Sequence, residues 1–245
     1  MFTSPGSSPL ASAETRGLRK AAVKIGIIGT GRIGSGLARQ LAGAAHELTL
    51  SFRRDRGRLE ELAQELGPAA RVGTPAEAAG FGEVIVISVP WSVLPRALEQ
   101  AGSLAGKIVI DTTNQFGAPP LPPEGETAAH FNAVRMPGAR YTKSFNTLTS
   151  AFQAEAAGRE GEDRVVQWLC GDDADAKEIV AGLIEDAGFV PVDLGGTAEC
   201  SVMEAPRREG AVYGEEYRIT DARAVVDAVR AGRAIPPTPR YRSAE

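Results

Sequence analysis

Val23-Lys-Ile-Gly-Ile-Ile-Gly-Thr-Gly-Arg-Ile-Gly34 is the stretch that decides the fold. Val23 to Ile28 is a short apolar run that reads as a strand, and Gly29 to Gly34 reads as a turn. Ser35 to Ala44 reads as a helix, because Leu37, Ala38 and Leu41 recur at helical spacing. Leu48 to Phe52 reads as a second strand, which closes a β-turn-α-β unit and implies a parallel sheet with a right-handed crossover. The glycines of this G-x-G-x-x-G turn have separate tasks. Gly29 permits the tight turn, Gly31 lets the backbone approach a pyrophosphate with no Cβ in the way, and Gly34 lets the helix pack close to the strand. The free N–H groups and positive end of the helix then attract the pyrophosphate. A glycine turn alone is a weak sign. Flanked by strand, helix and strand, it points to a dinucleotide.

The same alternation continues outward. Leu59 to Leu66 is helical and stops at Gly67-Pro68. Val84 to Val89 is a nearly continuous apolar run ended by Pro90, as expected of a strand covered on both faces. Val93 to Ala101 reads as a helix, Lys107 to Asp111 as a strand, and the proline-rich stretch Gly117 to Gly125 as a loop. Beyond it, Tyr141 to Phe145, Val165 to Cys170 and Phe189 to Asp193 read as strands. Asp173 to Ala187, Ala198 to Arg208 and Asp221 to Ala231 read as helices. The fold class is therefore α/β: a Rossmann-like, doubly wound, mostly parallel sheet with a small C-terminal α/β extension. The expected organisation is a disordered leader over 1–20, a dinucleotide-binding domain over 21–145, a small C-terminal acceptor-binding region over 146–235 and an extended tail over 236–245.

Composition fits this reading. The chain has 245 residues, 43% apolar and 24% charged, enough to bury a core. Its net charge of −4 argues against nucleic acid or an anionic membrane as a partner. No apolar run approaches the ~20 residues that span a bilayer. Cys170 and Cys200 lie far apart in sequence, fit neither a metal pattern nor a disulfide framework, and read as small buried residues in a reducing cytoplasm.

The end of the second strand bears on the choice of nicotinamide cofactor. An NAD site places a carboxylate there for the ribose 2′-hydroxyl. This chain reads Ser51-Phe-Arg-Arg-Asp-Arg-Gly-Arg58, with two arginines before the first acidic residue. Guanidinium groups bind a 2′-phosphate as a bidentate fork, whereas a carboxylate would repel it. Ser51, Arg53, Arg54 and Arg58 are thus candidate contacts for NADP(H). Cations are also disfavoured at a helix N-terminus, so their clustering there needs another reason.

At the carboxyl ends of the later strands, Val89 and Pro90 are placed to pack on the nicotinamide and Asn114 to hydrogen-bond the cofactor. For Pro90 a plain strand stop, and for Asn114 a turn, are equally open readings. An alcohol dehydrogenase needs a proton acceptor. His46 precedes the second strand at the far end, and His130 lies in an irregular stretch. Lys143 is the one candidate base, though a surface lysine on an edge is the favoured reading. No catalytic residue and no metal site is assigned. That pattern favours a hydride acceptor that is itself redox-active.

Lys24-Ile-Gly-Ile-Ile-Gly-Thr-Gly-Arg-Ile-Gly-Ser-Gly-Leu37, Ser51-Phe-Arg-Arg54, Val86-Ile-Ser-Val-Pro-Trp91 and Ile110-Asp-Thr-Thr-Asn114 together resemble the NADP-dependent coenzyme F420 oxidoreductase family. Lys143-Ser-Phe-Asn-Thr-Leu148, Cys170-Gly-Asp-Asp-Ala-Asp-Ala-Lys177 and Gly188-Phe-Val-Pro-Val-Asp193 extend the resemblance, which covers about residues 23 to 196. It implies NADPH as one substrate and a deazaflavin as the other. It also implies that Thr30, Arg32 and Ile33 line the pyrophosphate and that Arg53 and Arg54 take the 2′-phosphate. By the same implication Pro90 and Trp91 border the nicotinamide, while Asn146 and Leu148 face the deazaflavin. Some family members carry a histidine where this chain has Asn146. The Ser-Phe-Asn-Thr stretch is also similar to the cytosolic reductase domain of membrane metalloreductases, which uses a flavin. The expected partner is a small-molecule hydride acceptor, coenzyme F420 or a flavin, bound by a homodimer. Two other readings stay open: an NADP-dependent reductase of a small carbonyl or imine, and a non-catalytic NADP(H) redox sensor.

Overall fold

A computed structural model describes residues 21–52 and 55–241. In chain order its regular elements are β1 (Lys24–Ile28), α1 (Arg32–Gly43), β2 (Glu47–Ser51), α2 (Arg56–Leu66), β3 (Ala70–Val72), α3 (Pro75–Phe81), β4 (Val84–Ile87) and α4 (Leu94–Ala101). There follow β5 (Ile108–Asp111), α5 (Ala128–Val134), β6 (Arg140–Ser144), α6 (Ser150–Ala156), β7 (Val166–Gly171), α7 (Ala174–Asp186), β8 (Val190–Asp193) and α8 (Ile219–Arg230). The strands form one sheet in the order β3-β2-β1-β4-β5-β6-β7-β8. Neighbours run parallel throughout except β6 and β7, which are antiparallel. The expected Rossmann-like α/β class is what the structure has, and the C-terminal strands extend the same sheet.

Strand periodicity divides the core into two layers. Ile25, Ile27, Val84, Val86, Ile108 and Ile110 face one side, where Leu37 and Leu41 of α1 and Leu59 and Leu62 of α2 pack on them. Ile28, Ile85, Ile87 and Val109 face the other, with Ala78 of α3, Leu94 and Ala97 of α4 and Val225 of α8. Burying each such branched side chain contributes about 1.5–3 kcal/mol before conformational entropy is subtracted. Both faces of the central strands are covered, which explains why they read as unbroken apolar runs.

Helices α3, α5 and α6 and strand β3 are additions to the sequence reading. Helix α3 begins at Thr74, whose hydroxyl accepts from the Glu77 N–H while the Glu77 carboxylate accepts from the Thr74 N–H. This reciprocal cap, with Pro75 in the first turn, starts a helix of only seven residues. Its placement explains Gly26: a Cβ there would lie 2.2 Å from the Ala78 carbonyl oxygen, so β1 accepts α3 only at glycine.

One expected element is absent. Residues 198–208 do not form an α-helix; only Cys200–Met203 makes a single 3₁₀ turn. The reason lies in what the segment binds. Glu204 turns back so that its carboxylate accepts from the N–H groups of Ala128 and Ala129, at 2.9 and 2.7 Å, satisfying the first turn of α5. Arg233 to Tyr241 has no regular secondary structure, yet Tyr241 anchors it: its hydroxyl donates to the Asp221 carboxylate at 2.7 Å and accepts from the Arg218 N–H at 2.9 Å.

Candidate functional site

The site begins at the turn between β1 and α1. Gly29 has φ 106, and a Cβ there would lie 2.2 Å from the Ser88 carbonyl oxygen. A Cβ on Gly34 would lie 2.0 Å from the Gly29 carbonyl oxygen. Backbone geometry and packing therefore require these two glycines. Gly31 differs: a Cβ there would meet nothing within 4 Å. Nothing in the fold demands glycine at that position; what it leaves open is space in front of the first amides of α1. Gly31 is the N-cap of α1 and has no side chain to satisfy those amides. A group with acceptor oxygens fits there, as the pyrophosphate of a dinucleotide would.

The turn opens into a cleft of about 790 Å³. It is lined by Gly29, Thr30 and Gly31 with Ser88, Val89 and Pro90. Phe52, then Asp55, Arg56, Arg58 and Leu59 at the start of α2, also line it, as do Val72, Gly73 and Pro75, and Val93, Arg96 and Gln100 at α4. Chain geometry aims these residues. Phe52 has φ 58, which turns the backbone sharply out of β2. Asp55 is the N-cap of α2 and accepts from the Arg58 N–H at 3.3 Å. The first acidic residue after β2 is thus committed to the helix end. Arg56 pairs with Glu60 at 2.9 Å and Arg58 with Asp55 at 3.6 Å. Arg96 is exposed and has no carboxylate partner among the described residues. Arg53 and Arg54 lie outside the described residues.

Other expected site residues fall elsewhere. Arg32 lies on a second groove of about 850 Å³ bordered by α1, α2 and α6, which meets the cleft at Gly31 and Arg58. Ile33 packs against the core layer under α1. Ser51 is buried, and its hydroxyl donates to the Ile27 carbonyl at 3.0 Å. Trp91, expected beside the nicotinamide, follows Pro90 but is not among the residues that line the cleft. Its indole N–H donates to the Pro120 carbonyl at 2.8 Å, and its ring stacks on Phe131 at 6.1 Å. Asn146 and Leu148, expected to face the second substrate, are 4% and 7% exposed. The Asn146 side-chain amide donates to the Met203 carbonyl at 2.7 Å and to Asn114 Oδ1 at 3.0 Å, and Asn114 donates to the Asn146 carbonyl at 2.8 Å.

A second polar cluster occupies the same sheet edge two strands away. Lys143 is fully buried, which corrects the reading of it as a surface lysine. Its ammonium lies 3.8 Å from Asp111 Oδ2 and donates to the Thr113 carbonyl at 2.5 Å. Asp111 also accepts from the Tyr141 hydroxyl at 2.6 Å, from the Asn132 amide at 2.7 Å and from the Thr113 N–H at 2.7 Å. Burial, followed by the neighbouring Asp111 charge, pushes the Tyr141 hydroxyl pKa up. Cys170 and Cys200, distant in sequence, are both buried; the Cys200 thiol donates to the Thr197 carbonyl at 3.0 Å, and burial raises the Cys170 pKa. His46 sits at the opposite edge, where Nδ1 accepts from the Val23 N–H at 3.1 Å.

Sequence reading missed Arg56, Arg96 and Gln100. Arg56 belongs to a basic stretch already singled out. Val93, Arg96 and Gln100 recur at helical spacing, so one face of α4 was readable, but nothing local to α4 indicates that this face meets a cleft.

Residues 24–115 match the family model for NADP oxidoreductase, coenzyme F420-dependent. The metalloreductase STEAP3 of Rattus norvegicus is 31% identical over 189 residues, covering 76% of this chain and 36% of that protein. The chain spans about a third of the length of the curated relatives it matches. A hypothetical protein of Sinorhizobium meliloti superposes with a TM-score of 0.69 at 27% identity, over 80% of this chain and 95% of that one. A protein of Arthrobacter sp. FB24, assigned as an F420-dependent NADP reductase, superposes with a TM-score of 0.63 at 27% identity, over 74% and 88%. No helix among the described residues is long and apolar enough to cross a membrane.

Proposed function

We propose that this chain, whose residues 24–115 belong to the family of coenzyme F420-dependent NADP oxidoreductases, passes hydride between NADPH and coenzyme F420 or a flavin. The observation that carries the cofactor half is the open space at Gly31, between two glycines that the fold itself requires. The amides at the start of α1 hold the pyrophosphate, and Thr30 borders it. Arg58, with Arg53 and Arg54 beside it in sequence, takes the 2′-phosphate. Val89 and Pro90 form the apolar wall for the nicotinamide, whose C4 supplies the hydride when the cofactor is bound.

The acceptor half rests on the ionisable groups of the cleft. Among the described lining residues these are Asp55, Arg56 and Arg58 at the start of α2 and Arg96 on α4. Reduction of a carbonyl calls for a proton donor at the reacting oxygen. A deazaflavin or flavin carries its own conjugated ring to absorb the hydride and needs no such residue. The setting is proposed to be cytoplasmic and the active form a homodimer.

The test is the oxidation of NADPH by pure protein, followed at 340 nm with F420, then FMN, then a panel of carbonyls and imines. Turnover with F420 or FMN alone is the expected result. Turnover only with carbonyls or imines would overturn the acceptor half. Tight NADPH binding with no turnover on any acceptor would leave a redox sensor in its place.

A further inference from the structure

Arg96 projects into the cleft from α4, beside Val93 one turn earlier and Gln100 one turn later. Val72 and Pro75 stand on the chain that runs from β3 into α3 and line the same cleft. Val72 ends β3 and Pro75 follows it, and β3 lies two strands from β1, so this apolar part of the lining stands away from the glycine turn. A flat ring system fits between such walls, and a charged group does not gain from them. Arg96 stands on α4, which packs against α3, and unlike Arg56 and Arg58 it is not committed to a carboxylate among the described residues. Its guanidinium is planar and free to lie over a ring. Gln100 supplies a side-chain amide, with one acceptor and two donors, at the same wall.

From this we infer that Arg96 is a purine clamp: its guanidinium stacks on the adenine of the dinucleotide, Val72, Pro75 and Val93 border the ring, and Gln100 meets the ring edge. The inference rests on the dinucleotide reading above and adds to it. It separates two tasks within one basic cleft. Arginines at the start of α2 recognise the 2′-phosphate, whereas Arg96 recognises the base and is indifferent to that phosphate.

Binding measurements test it directly. Dissociation constants of wild type and Arg96→Ala would be measured by calorimetry or fluorescence for NADPH, NADH, ADP and reduced nicotinamide mononucleotide. The first three share adenine, so all three should weaken by the same factor, about threefold to tenfold, in line with a partly exposed cation–π contact. Reduced nicotinamide mononucleotide lacks the base and should bind unchanged. Arg96→Lys keeps the charge but loses the plane and should recover only part of the affinity. A loss confined to NADPH would make Arg96 a phosphate ligand and overturn the clamp. So would unchanged affinity for all four compounds. In either case wild type still binds NADPH and the cofactor reading stands; wild-type protein that binds none of the four would overturn both.

Discussion

The carboxyl edge of the sheet carries two polar regions of opposite character. After β1 and β4 the edge is open: backbone amides with no cap, a glycine with empty space in front of it, and an arginine with no described partner. After β5 and β6 the edge is closed: Asp111 and Lys143 are fully buried, and Asp111 is held by a tyrosine, an asparagine and a backbone N–H. By residue type alone the second region resembles an active site more closely, since it holds a lysine, a tyrosine, a carboxylate and two thiols. Yet its groups are spent on one another. Lys143 braces the Thr113 carbonyl, and the Asp111 oxygens are saturated. Hydrogen-bonding capacity left over, not the reactivity of the residues, distinguishes a site from a brace.

The sharpest break of that comparison is a trio of glycine substitutions. Gly34→Ala would drive a Cβ to 2.0 Å from the Gly29 carbonyl oxygen, and a clash with backbone cannot be relieved by a rotamer change. We expect loss of soluble folded protein or a destabilisation of several kcal/mol, on the order of severe overpacking. Gly29→Ala should be comparably damaging, because it adds positive φ to a clash. Gly31→Ala should leave the urea unfolding curve where it is, within about 1 kcal/mol, and weaken NADPH by at least about tenfold. A Gly31→Ala protein that binds NADPH normally would remove the main support for the cofactor site.

The closed region should answer in the reverse sense. Lys143→Met removes the cation paired with buried Asp111, and breaking a buried pair on one side costs about 3–5 kcal/mol. Urea denaturation should show that loss while NADPH affinity per folded molecule stays within about threefold. If Lys143→Met folded as well as wild type but lost NADPH binding, the cluster would belong to the site and the contrast would fail.

Legibility in the sequence follows the same division. The central strands, α1 and the glycine turn could be read because their causes are local: period-2 and helical apolar spacing, and glycines whose neighbours lie within a few residues. Helix α3 carried a readable Thr74-Pro-Ala-Glu77 cap but was too short and alanine-rich to show an apolar stripe. The 198–208 segment looked helical because its composition permits a helix; Glu204 was claimed instead by the N-terminus of α5, some 75 residues earlier in the chain. The surroundings of Lys143, Trp91 and Asn146 were hidden for a related reason. Each donates to a carbonyl from a distant part of the sequence, Thr113, Pro120 and Met203 respectively, and no local pattern encodes such a partner. Arg96 escaped notice because a charged residue on an exposed helix face is ordinary until the opposite wall is known.

Thiol chemistry sharpens the contrast at smaller scale. Cys170 and Cys200 are fully buried, and burial raises the Cys170 pKa, so the thiolate that would react is scarce at neutral pH. A disulfide reagent such as dithionitrobenzoate should label neither cysteine within an hour in native buffer and both in 6 M urea. Rapid labelling of the native protein would mean that the closed edge opens.

The smallest effect belongs to a polar pair that is neither spent inside the core nor left free for a ligand. Arg140 and Asp173 meet through two hydrogen bonds, at 2.6 and 2.8 Å, where β6 approaches α7. Asp173 also caps α7 by accepting from the Ala176 N–H. The Arg140 hydrogen bonds, followed by that cap, hold the Asp173 carboxyl well below the usual carboxylate range. Because the folded pKa lies below the unfolded one, the contribution is complete above about pH 4 and fades as pH falls through the folded value. Asp173→Asn retains capping ability and removes only the charge. Its melting temperature should therefore sit a little below wild type at pH 7, and the gap should narrow between about pH 4 and pH 2. The gap at pH 7 should also shrink in 1 M salt, since both side chains are about a third exposed. A gap as wide at pH 2 as at pH 7 would assign the loss to packing and remove charge from the account of this pair.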